Sequence, residues 1–220
     1  MRDIRVAFFT EAGYSRGMGH LIRSFTISEK FKYLGIKTSF FLDSNVSFDG
    51  KFKGITYFDW NKFDLTDDYD IIFIDSYEAN IGVYRKIASI CKVAVYVDDF
   101  RRLDYPEGVI LNFAPDSGEI FYKDKEEKHR YLLGLKYLPI RSEFIDAKIT
   151  KKKQIFIMLG GSDTANLSLD MIDALKNIAI KKLIVSNDLN TVKSLKKHRD
   201  VDVLYKPSDT QLVKAMSSST

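Results

Sequence analysis

The first segment with residue types that can do chemistry is Gly13-Tyr-Ser-Arg-Gly17-Met-Gly19-His20, between a predicted strand and a predicted helix. A loop at this position can aim backbone N–H groups at a phosphate, helped by the helix dipole. Its glycines allow a ligand to approach the backbone closely. The spacing is neither the dinucleotide G-x-G-x-x-G nor the phosphate-loop G-x4-G-K-[ST]. The segment therefore predicts an anion site with Gly17 and Gly19 as binding residues, and disfavours nicotinamide dehydrogenases and P-loop enzymes.

His20 stands at the predicted start of the first helix, where open α/β sheets place functional groups. A helix N-terminus favours the neutral imidazole, and a neutral histidine can take a proton from water near neutral pH. A histidine that only hydrogen-bonds the helix start explains the position equally well. Both interpretations stay open on the residues alone.

The second segment, 158–168, reads MLGGSDTANLS and joins a predicted strand to a predicted helix. One interpretation is a turn whose polar residues cap the helix. The other is a second anion-binding loop, which makes a nucleotide-sugar site between two lobes the functional hypothesis. The candidate binding residues of this segment are Gly160, Gly161, Ser162, Asp163 and Asn166.

Acidic residues end several predicted strands, and these are Asp75, Asp98 and Asp99. Such acids either face a cleft or cap a turn. Tyr77, just beyond Asp75, shares both interpretations. Arg141 follows an apolar run and can either clamp a ligand phosphate or form a structural salt bridge.

The elements around these segments alternate between short β-rich runs and helical patterns, which is typical of parallel βαβ units. The predicted fold class is α/β with two Rossmann-like lobes, the second incomplete. We expect the first lobe, with His20, over 1–146, and a nucleotide-binding lobe over 150–220. Only three strand–helix units fit into the second range, which predicts a shortened lobe.

Composition places the chain among ordinary globular proteins, with 45% apolar and 29% charged residues in 220. One cysteine, Cys91, excludes an intrachain disulfide, and no apolar run reaches the ~20 residues of a membrane span. We therefore expect a cytoplasmic protein without a membrane partner. No His/Cys cluster has metal-ligand spacing, so neither a metal nor a cofactor is predicted.

Positive charge is concentrated in residues 151–220, which hold 12 Lys and Arg against 7 Asp and Glu. The lysines are scattered, without the basic stripe interleaved with aromatics that nucleic-acid binding favours. A solvated surface explains them, and a weak positive field also suits a nucleotide diphosphate. The expected partner is a small nucleotide sugar and not a nucleic acid, and no oligomeric state is predicted.

Four ordered motifs together resemble the PseG family, the UDP-sugar hydrolases of pseudaminic acid biosynthesis. The family patterns are G-x-G-H-x-x-R, I-D-x-Y, G-x-x-Y…[IL]-R-x-E-F and G-G-[ST]-D…N-L-S. Here they fall on residues 17–23, 74–77, 134–144 and 160–168. The family is related in fold to GT-B glycosyltransferases such as the lipid II-forming enzyme of peptidoglycan synthesis.

The resemblance implies hydrolysis of UDP-2,4-diacetamido-2,4,6-trideoxy-β-L-altropyranose, in which water attacks the anomeric carbon with inversion and UDP is released without a metal. The family's catalytic histidine falls on His20, and its substrate-contacting arginine and asparagine fall on Arg141 and Asn166. Asp75 and Tyr77, in the I-D-x-Y motif, are further candidate substrate-binding residues. No residue matches the family's ribose-binding glutamate, which follows a further strand. Two alternatives stay open: a GT-B glycosyltransferase with a UDP-sugar donor, and an inactive nucleotide-sugar-binding fragment.

Overall fold

The computed structural model describes residues 4–48, 52–65, 67–160, 163, 165 and 167–219. The chain divides into two compact units. The first comprises Met1–Arg16 and His20–Pro139, and the second comprises Gly17–Gly19 and Ile140–Thr220. Apart from Gly17–Gly19, the second unit begins at Ile140. The functional division into 1–146 and 150–220 remains a prediction.

The first unit is built on a parallel sheet. Its described strands are β1 (Arg5–Ala12), β2 (Lys37–Ser44), β3 (Ile55–Phe58), β4 (Tyr69–Asp75), β5 (Cys91–Val97), β6 (Gly108–Asn112) and β7 (His129–Leu133). Within the described residues these seven strands pair in the order β3-β2-β1-β4-β5-β6-β7, and every pairing is parallel. This is the doubly wound arrangement of Rossmann-like folds, and it confirms the predicted fold class.

The strand order reverses at β1, which pairs with β2 on one side and β4 on the other. In open α/β sheets, ligands bind at such a switch point, outside the carboxyl ends of the strands. Thr10 near the end of β1 is level with Asp75 at the end of β4. The residues that follow β1 and β4 therefore meet at the edge where this fold binds ligands.

A buried aromatic layer explains why β1 is read so clearly from the sequence. Phe8 stacks on Phe40 of β2 and on Phe73 of β4, with ring centroids 5.9 and 4.7 Å apart. On the other face of the sheet, Phe9 stacks on Phe41 at 4.5 Å. Both faces of β1 are buried, so its sequence is a continuous apolar run.

The helices of the first unit are α1 (Gly19–Tyr33), α2 (Ile81–Ile90) and the single turn α3 (Ser117–Ile120). The helix α1 is closed by Gly35, which lies two residues beyond the last residue of the helix and has φ +77°. The N–H of Ile36 donates to the Phe31 carbonyl at 3.0 Å, and that of Gly35 donates to the Lys32 carbonyl at 2.9 Å. This is the Schellman pattern, which closes the last helical carbonyls.

The second unit repeats the βα alternation on a smaller scale. Its elements are α4 (Ser142–Ile145), β8 (Gln154–Met158), α5 (Ser168–Ala174), β9 (Lys181–Ser186), α6 (Leu189–Leu195), β10 (Val201–Tyr205) and α7 (Asp209–Ser217). The three strands described here form a parallel sheet in the order β10-β9-β8. Its core contains Ile157, Ile172, Ile184 and Leu195, all at most 5% exposed. Over the ranges that the structure describes, no helix has both the length and the apolarity to cross a membrane.

Candidate active site

A histidine–aspartate pair lies at the switch point of the first sheet. His20 is the second residue of α1 and Asp75 is the last residue of β4. Both side chains are buried, and His20 Nδ1 lies 2.6 Å from Asp75 Oδ1. Because a carboxylate only accepts hydrogen bonds, His20 Nδ1 carries the proton and donates a hydrogen bond to Asp75. The lone pair of the neutral ring is then on Nε2, and no described residue hydrogen-bonds to Nε2.

Asp75 is held as a carboxylate by several donors. Arg23 donates Nε to Oδ2 and Nη2 to Oδ1, both at 2.6 Å. Ser24 Oγ donates to Oδ2 at 3.0 Å. Full burial by itself raises the pKa of Asp75, but the hydrogen bonds from Arg23 and His20 outweigh it and bring the pKa below its ordinary value. Asp75 therefore orients His20 and faces it with a negative charge.

Arg23 also binds a second acid, Asp99, which lies two residues beyond the end of β5. Its Nη1 donates to Asp99 Oδ1 at 2.8 Å, and its Nη2 donates to Oδ2 at 3.0 Å. Burial acts to lower the pKa of Arg23, yet its bonds to the two acids raise it above the ordinary value. The guanidinium is thus a permanent positive charge between two carboxylates.

Tyr77 covers one side of the histidine. Its ring meets the His20 ring edge to face, with centroids 4.5 Å apart and planes at 83°. Its hydroxyl donates to Asp99 Oδ2 at 2.5 Å. Burial and this bond to Asp99 raise the pKa of Tyr77, so the phenol stays protonated near neutral pH. We call the five residues His20, Arg23, Asp75, Tyr77 and Asp99 the His20 cluster.

A buried glutamate that the sequence analysis did not single out supports this cluster. Glu11, in β1, is 1% exposed, and it accepts the Tyr77 N–H at 2.8 Å. It also accepts Trp60 Nε1–H at 2.9 Å and the hydroxyl of Ser76. Glu11 therefore fixes the loop after β4 from which Tyr77 projects. The available signal was a carboxylate inside an otherwise apolar strand, since such a buried charge needs dedicated partners.

The first glycine segment, residues 13–20, begins directly after the last residue of β1. Gly13 has φ +156°, a backbone conformation that an L side chain rarely adopts, and a Cβ there would lie 2.2 Å from Asn45 Oδ1, so the Asn45 side chain would also have to move. Arg16 donates Nη1 to Asp43 Oδ1 at 2.7 Å, which ties the loop to β2. Gly17 has φ +71°, and a Cβ at Gly17 or Gly19 would meet nothing within 4 Å. The binding roles of Gly17 and Gly19 remain predictions.

The second glycine segment is described only in part, because Gly161, Ser162 and Asn166 lie outside the described residues. Gly160 has φ +72°. Asp163 accepts the N–H groups of Leu167 and Ser168 at 2.9 and 3.0 Å. The Asp163 carboxylate is therefore bound to the start of α5, but the N-cap position of this helix is Leu167 and not Asp163.

Arg141 forms an ion pair inside the second unit. Its Nη1 donates to Asp209 Oδ1 at 2.5 Å, and its guanidinium lies 4.7 Å from the Phe144 ring centroid. Asp209 is the first residue of α7, so the pair joins this helix to the segment before α4. The structural salt bridge is present, and ligand binding by Arg141 remains a prediction.

Sequence reasoning therefore named three of the five residues that the first unit brings together as site residues: His20, Asp75 and Tyr77. It quoted Arg23 only as part of a motif and left Asp99 undecided between cleft and turn. In the described part of the chain, no group of three or more His, Cys, Asp or Glu side chains is placed to hold a metal ion.

Comparison with known proteins identifies the fold. No protein-family model matches the chain. The chain is 26% identical over 194 residues to the uncharacterized protein MJ1062 of Methanocaldococcus jannaschii, and the match covers 78% of this chain and 40% of that protein. The chain thus spans less than half the length of that relative.

Two solved structures extend this result. An alpha-glucosyltransferase in complex with UDP superposes with a TM-score of 0.54 at 14% identity, covering 99% of this chain and 72% of that one. MurG of Acinetobacter baumannii superposes with a TM-score of 0.53 at 11% identity, covering 96% of this chain and 70% of that one. At these identities the likeness shows the fold, and the fold is that of the GT-B glycosyltransferases.

Proposed function

We propose that this protein is an enzyme that hydrolyses a nucleotide-linked sugar, with His20 as the general base. The observation that carries the proposal is the 2.6 Å contact between His20 Nδ1 and Asp75 Oδ1 at the switch point of the sheet. A carboxylate that holds one imidazole nitrogen leaves the other as a proton acceptor of fixed direction. This is the arrangement that activation of a water molecule requires.

The reaction proceeds in one displacement. His20 Nε2 takes a proton from water as the water oxygen bonds to the anomeric carbon. The bond between that carbon and the diphosphate oxygen breaks, and its electron pair leaves with the nucleotide diphosphate. The imidazolium that forms is stabilised by Asp75 and later loses its proton to solvent. Attack opposite the leaving group inverts the anomeric centre.

The identity of the nucleotide is proposed from two independent lines of support. The motifs at residues 17–23 and 160–168 resemble a family that acts on a UDP-sugar. The alpha-glucosyltransferase of the same fold was solved in complex with UDP. We assign the substrate to the UDP-2,4-diacetamido-2,4,6-trideoxy hexoses, and place the reaction in pseudaminic acid or surface-glycan sugar synthesis.

The remaining candidate residues take binding roles in this proposal. Gly17 and Gly19 offer an open backbone, since a Cβ at either meets nothing within 4 Å. The proposal gives Gly160, Gly161, Ser162 and Asn166 the role of binding the substrate, and gives Asp163 the role of holding the start of α5. Arg141 contacts the substrate by exchanging its bond to Asp209 for one to a ligand oxygen.

A glycosyltransferase is the alternative, and the fold of the solved neighbours favours it. In that reaction His20 would deprotonate an acceptor hydroxyl instead of water. The two reactions differ in one requirement, because only the transferase needs an acceptor before the nucleotide is released.

The deciding experiment measures UDP release from UDP-2,4-diacetamido-2,4,6-trideoxy-β-L-altropyranose by the purified chain, with and without a pool of sugar and lipid acceptors. A second assay in H₂¹⁸O locates the label by mass spectrometry. We expect acceptor-independent release with the label in the free sugar, which marks cleavage of the carbon–oxygen bond. Release that requires an acceptor would identify a transferase, and no release under either condition would contradict both enzymatic functions.

A further inference from the structure

Arg23 places a cationic group beside His20, the proposed base. Its Nη2 lies 3.0 Å from His20 Nδ1. Since Nδ1 already donates to Asp75, these two nitrogens are close neighbours without a hydrogen bond between them. A fixed positive charge at this distance opposes formation of the imidazolium. A base at this position therefore needs additional negative charge nearby.

Asp99 supplies that charge. Both of its oxygens bind Arg23, at 2.8 and 3.0 Å, so two carboxylates face one guanidinium. The positive charge of Arg23 and the negative charge of Asp75 cancel. Asp99 adds a second negative charge, so these three side chains together carry a net charge of −1. The side chain of Asp99 is 30% exposed, and Arg23 Nη2 lies 3.0 Å from Asp99 Oδ2 and 3.0 Å from His20 Nδ1.

We propose that Asp99 is a positioning residue that balances the charge of Arg23 beside His20 and thereby sustains the ability of the imidazole to accept a proton. This inference rests on the proposed role of His20 as a base. Asp99 also accepts the Tyr77 hydroxyl, so the same carboxylate holds the Tyr77 ring against His20. No sequence motif assigns this role, because Asp99 and Arg23 are 76 residues apart in the chain.

The charged and titratable groups around His20 come from five places in the described part of the first unit. Arg23 comes from α1, Asp75 from the end of β4, Tyr77 from the loop after β4, and Asp99 from the loop after β5. The buried carboxylate of Glu11, in β1, accepts the Tyr77 N–H and is unchanged in every variant of the test below. Tyr77 stays neutral near pH 7 because its pKa is raised. The balance at His20 therefore depends on Arg23, Asp75 and Asp99.

The test measures the pKa of His20 by NMR titration of the ring resonances in the substrate-free protein. Asp99→Asn should lower this pKa by about 1 unit, because it removes an anion near the imidazole. Arg23→Gln should shift it in the opposite direction. Tyr77→Phe removes the tether without changing charge and should leave the pKa in place. Asp64→Asn is the matched control, since Asp64 pairs with Lys86 on the surface.

The pH profile of kcat/KM supplies the second readout. Its acid limb should move to lower pH in Asp99→Asn by the same amount as the NMR value. Asp99→Glu, which keeps the charge, should restore the wild-type limb. If Asp99→Asn fails to fold, Asp99→Ser removes the same charge with a smaller side chain and is titrated instead.

The outcomes separate this inference from the proposed function. An unchanged pKa of His20 in the folded charge-removing variant overturns the role of Asp99, whatever the activity. A lowered pKa in a protein that releases no nucleotide supports the charge balance and contradicts the hydrolase. A lowered pKa together with a shifted acid limb supports both.

Discussion

Arg23 binds both carboxylate oxygens of Asp75, with Nε 2.6 Å from Oδ2 and Nη2 2.6 Å from Oδ1. This fork-to-carboxylate geometry fixes the plane of the acid that orients His20. The Asp75 carboxyl is fully buried and the Arg23 side chain is 20% exposed, so salt screens this ion pair less than it screens a surface pair. Orientation of the base, ionisation of the acid and stability of the first unit are thus coupled through one side chain.

The first prediction concerns stability at acid pH. The folded chain holds Asp75 ionised below its ordinary pKa, so the unfolded state binds more protons in the acid range. The stabilisation is fully present above the unfolded-state pKa of about 3.9 and is lost as pH falls through the lower folded-state value. Urea titrations from pH 2 to 7 should show the free energy of unfolding falling in this window.

Asp75→Asn provides the comparison for that experiment. The variant should lose this part of the acid dependence and be less stable at pH 7, since it leaves Arg23 with an incomplete set of acceptors. An acid limb of identical steepness in the two proteins would mean that Asp75 does not cause the transition.

The second prediction concerns Glu11. Glu11→Gln removes one acceptor from a buried group that holds Tyr77 and Trp60, and should destabilise the first unit by about 1–3 kcal/mol. Denaturant unfolding followed by Trp60 fluorescence measures this directly. Glu78→Gln is the control, because Glu78 lies in the same loop with its side chain 52% exposed. An equal change in the free energy of unfolding in the two variants would show that Glu11 does not support the His20 cluster.

The third prediction separates the structural from the binding glycines. Gly13→Ala should destabilise the fold by about 1–3 kcal/mol because φ +156° is a backbone conformation that an L side chain rarely adopts. Gly19→Ala has open space and no positive φ, so its melting temperature should match the wild type. If Gly19 lies against the ligand, the same substitution should raise the KM for the nucleotide sugar. An unchanged KM would place the ligand elsewhere.

The fourth prediction concerns the second unit. If Arg141 contacts the substrate, Arg141→Ala should raise KM more than it lowers kcat, because the proposed base is kept. Asp209→Asn weakens the Arg141 pair and should lower KM if the arginine must leave Asp209 to bind. Asn166→Ala should also weaken apparent affinity. If Arg141→Ala lowers stability but leaves KM unchanged, Arg141 has only the structural role of its salt bridge to Asp209.

The strands were predictable because each is a local pattern. Residues such as Phe8 and Phe9 are buried on opposite faces of a parallel sheet, so the apolar run carries the information by itself. Gly35 was equally readable, because a helix that ends in a left-handed residue favours glycine. The single-turn helices α3 and α4 were missed, since four residues give no periodicity to detect.

The His20 cluster was only partly predictable, because it is formed by residues that are far apart in the sequence. His20 and Asp75 are 55 residues apart and meet because β1 and β4 are neighbours in the sheet. Sequence reasoning placed both at strand ends but could not pair them, because many strand orders fit the same alternation of elements. Glu11 was hidden inside an apolar strand, and its partners come from two later loops.

The central claim is that His20 Nε2 removes the proton from the attacking water. Its most direct test compares the kcat for UDP release in the wild type, in His20→Asn and in His198→Asn, whose histidine is exposed in the second unit. We predict a loss of about 10²–10⁴-fold in His20→Asn, with unchanged folding and substrate binding. His198→Asn should match the wild type. Wild-type turnover by a folded His20→Asn protein would contradict the account.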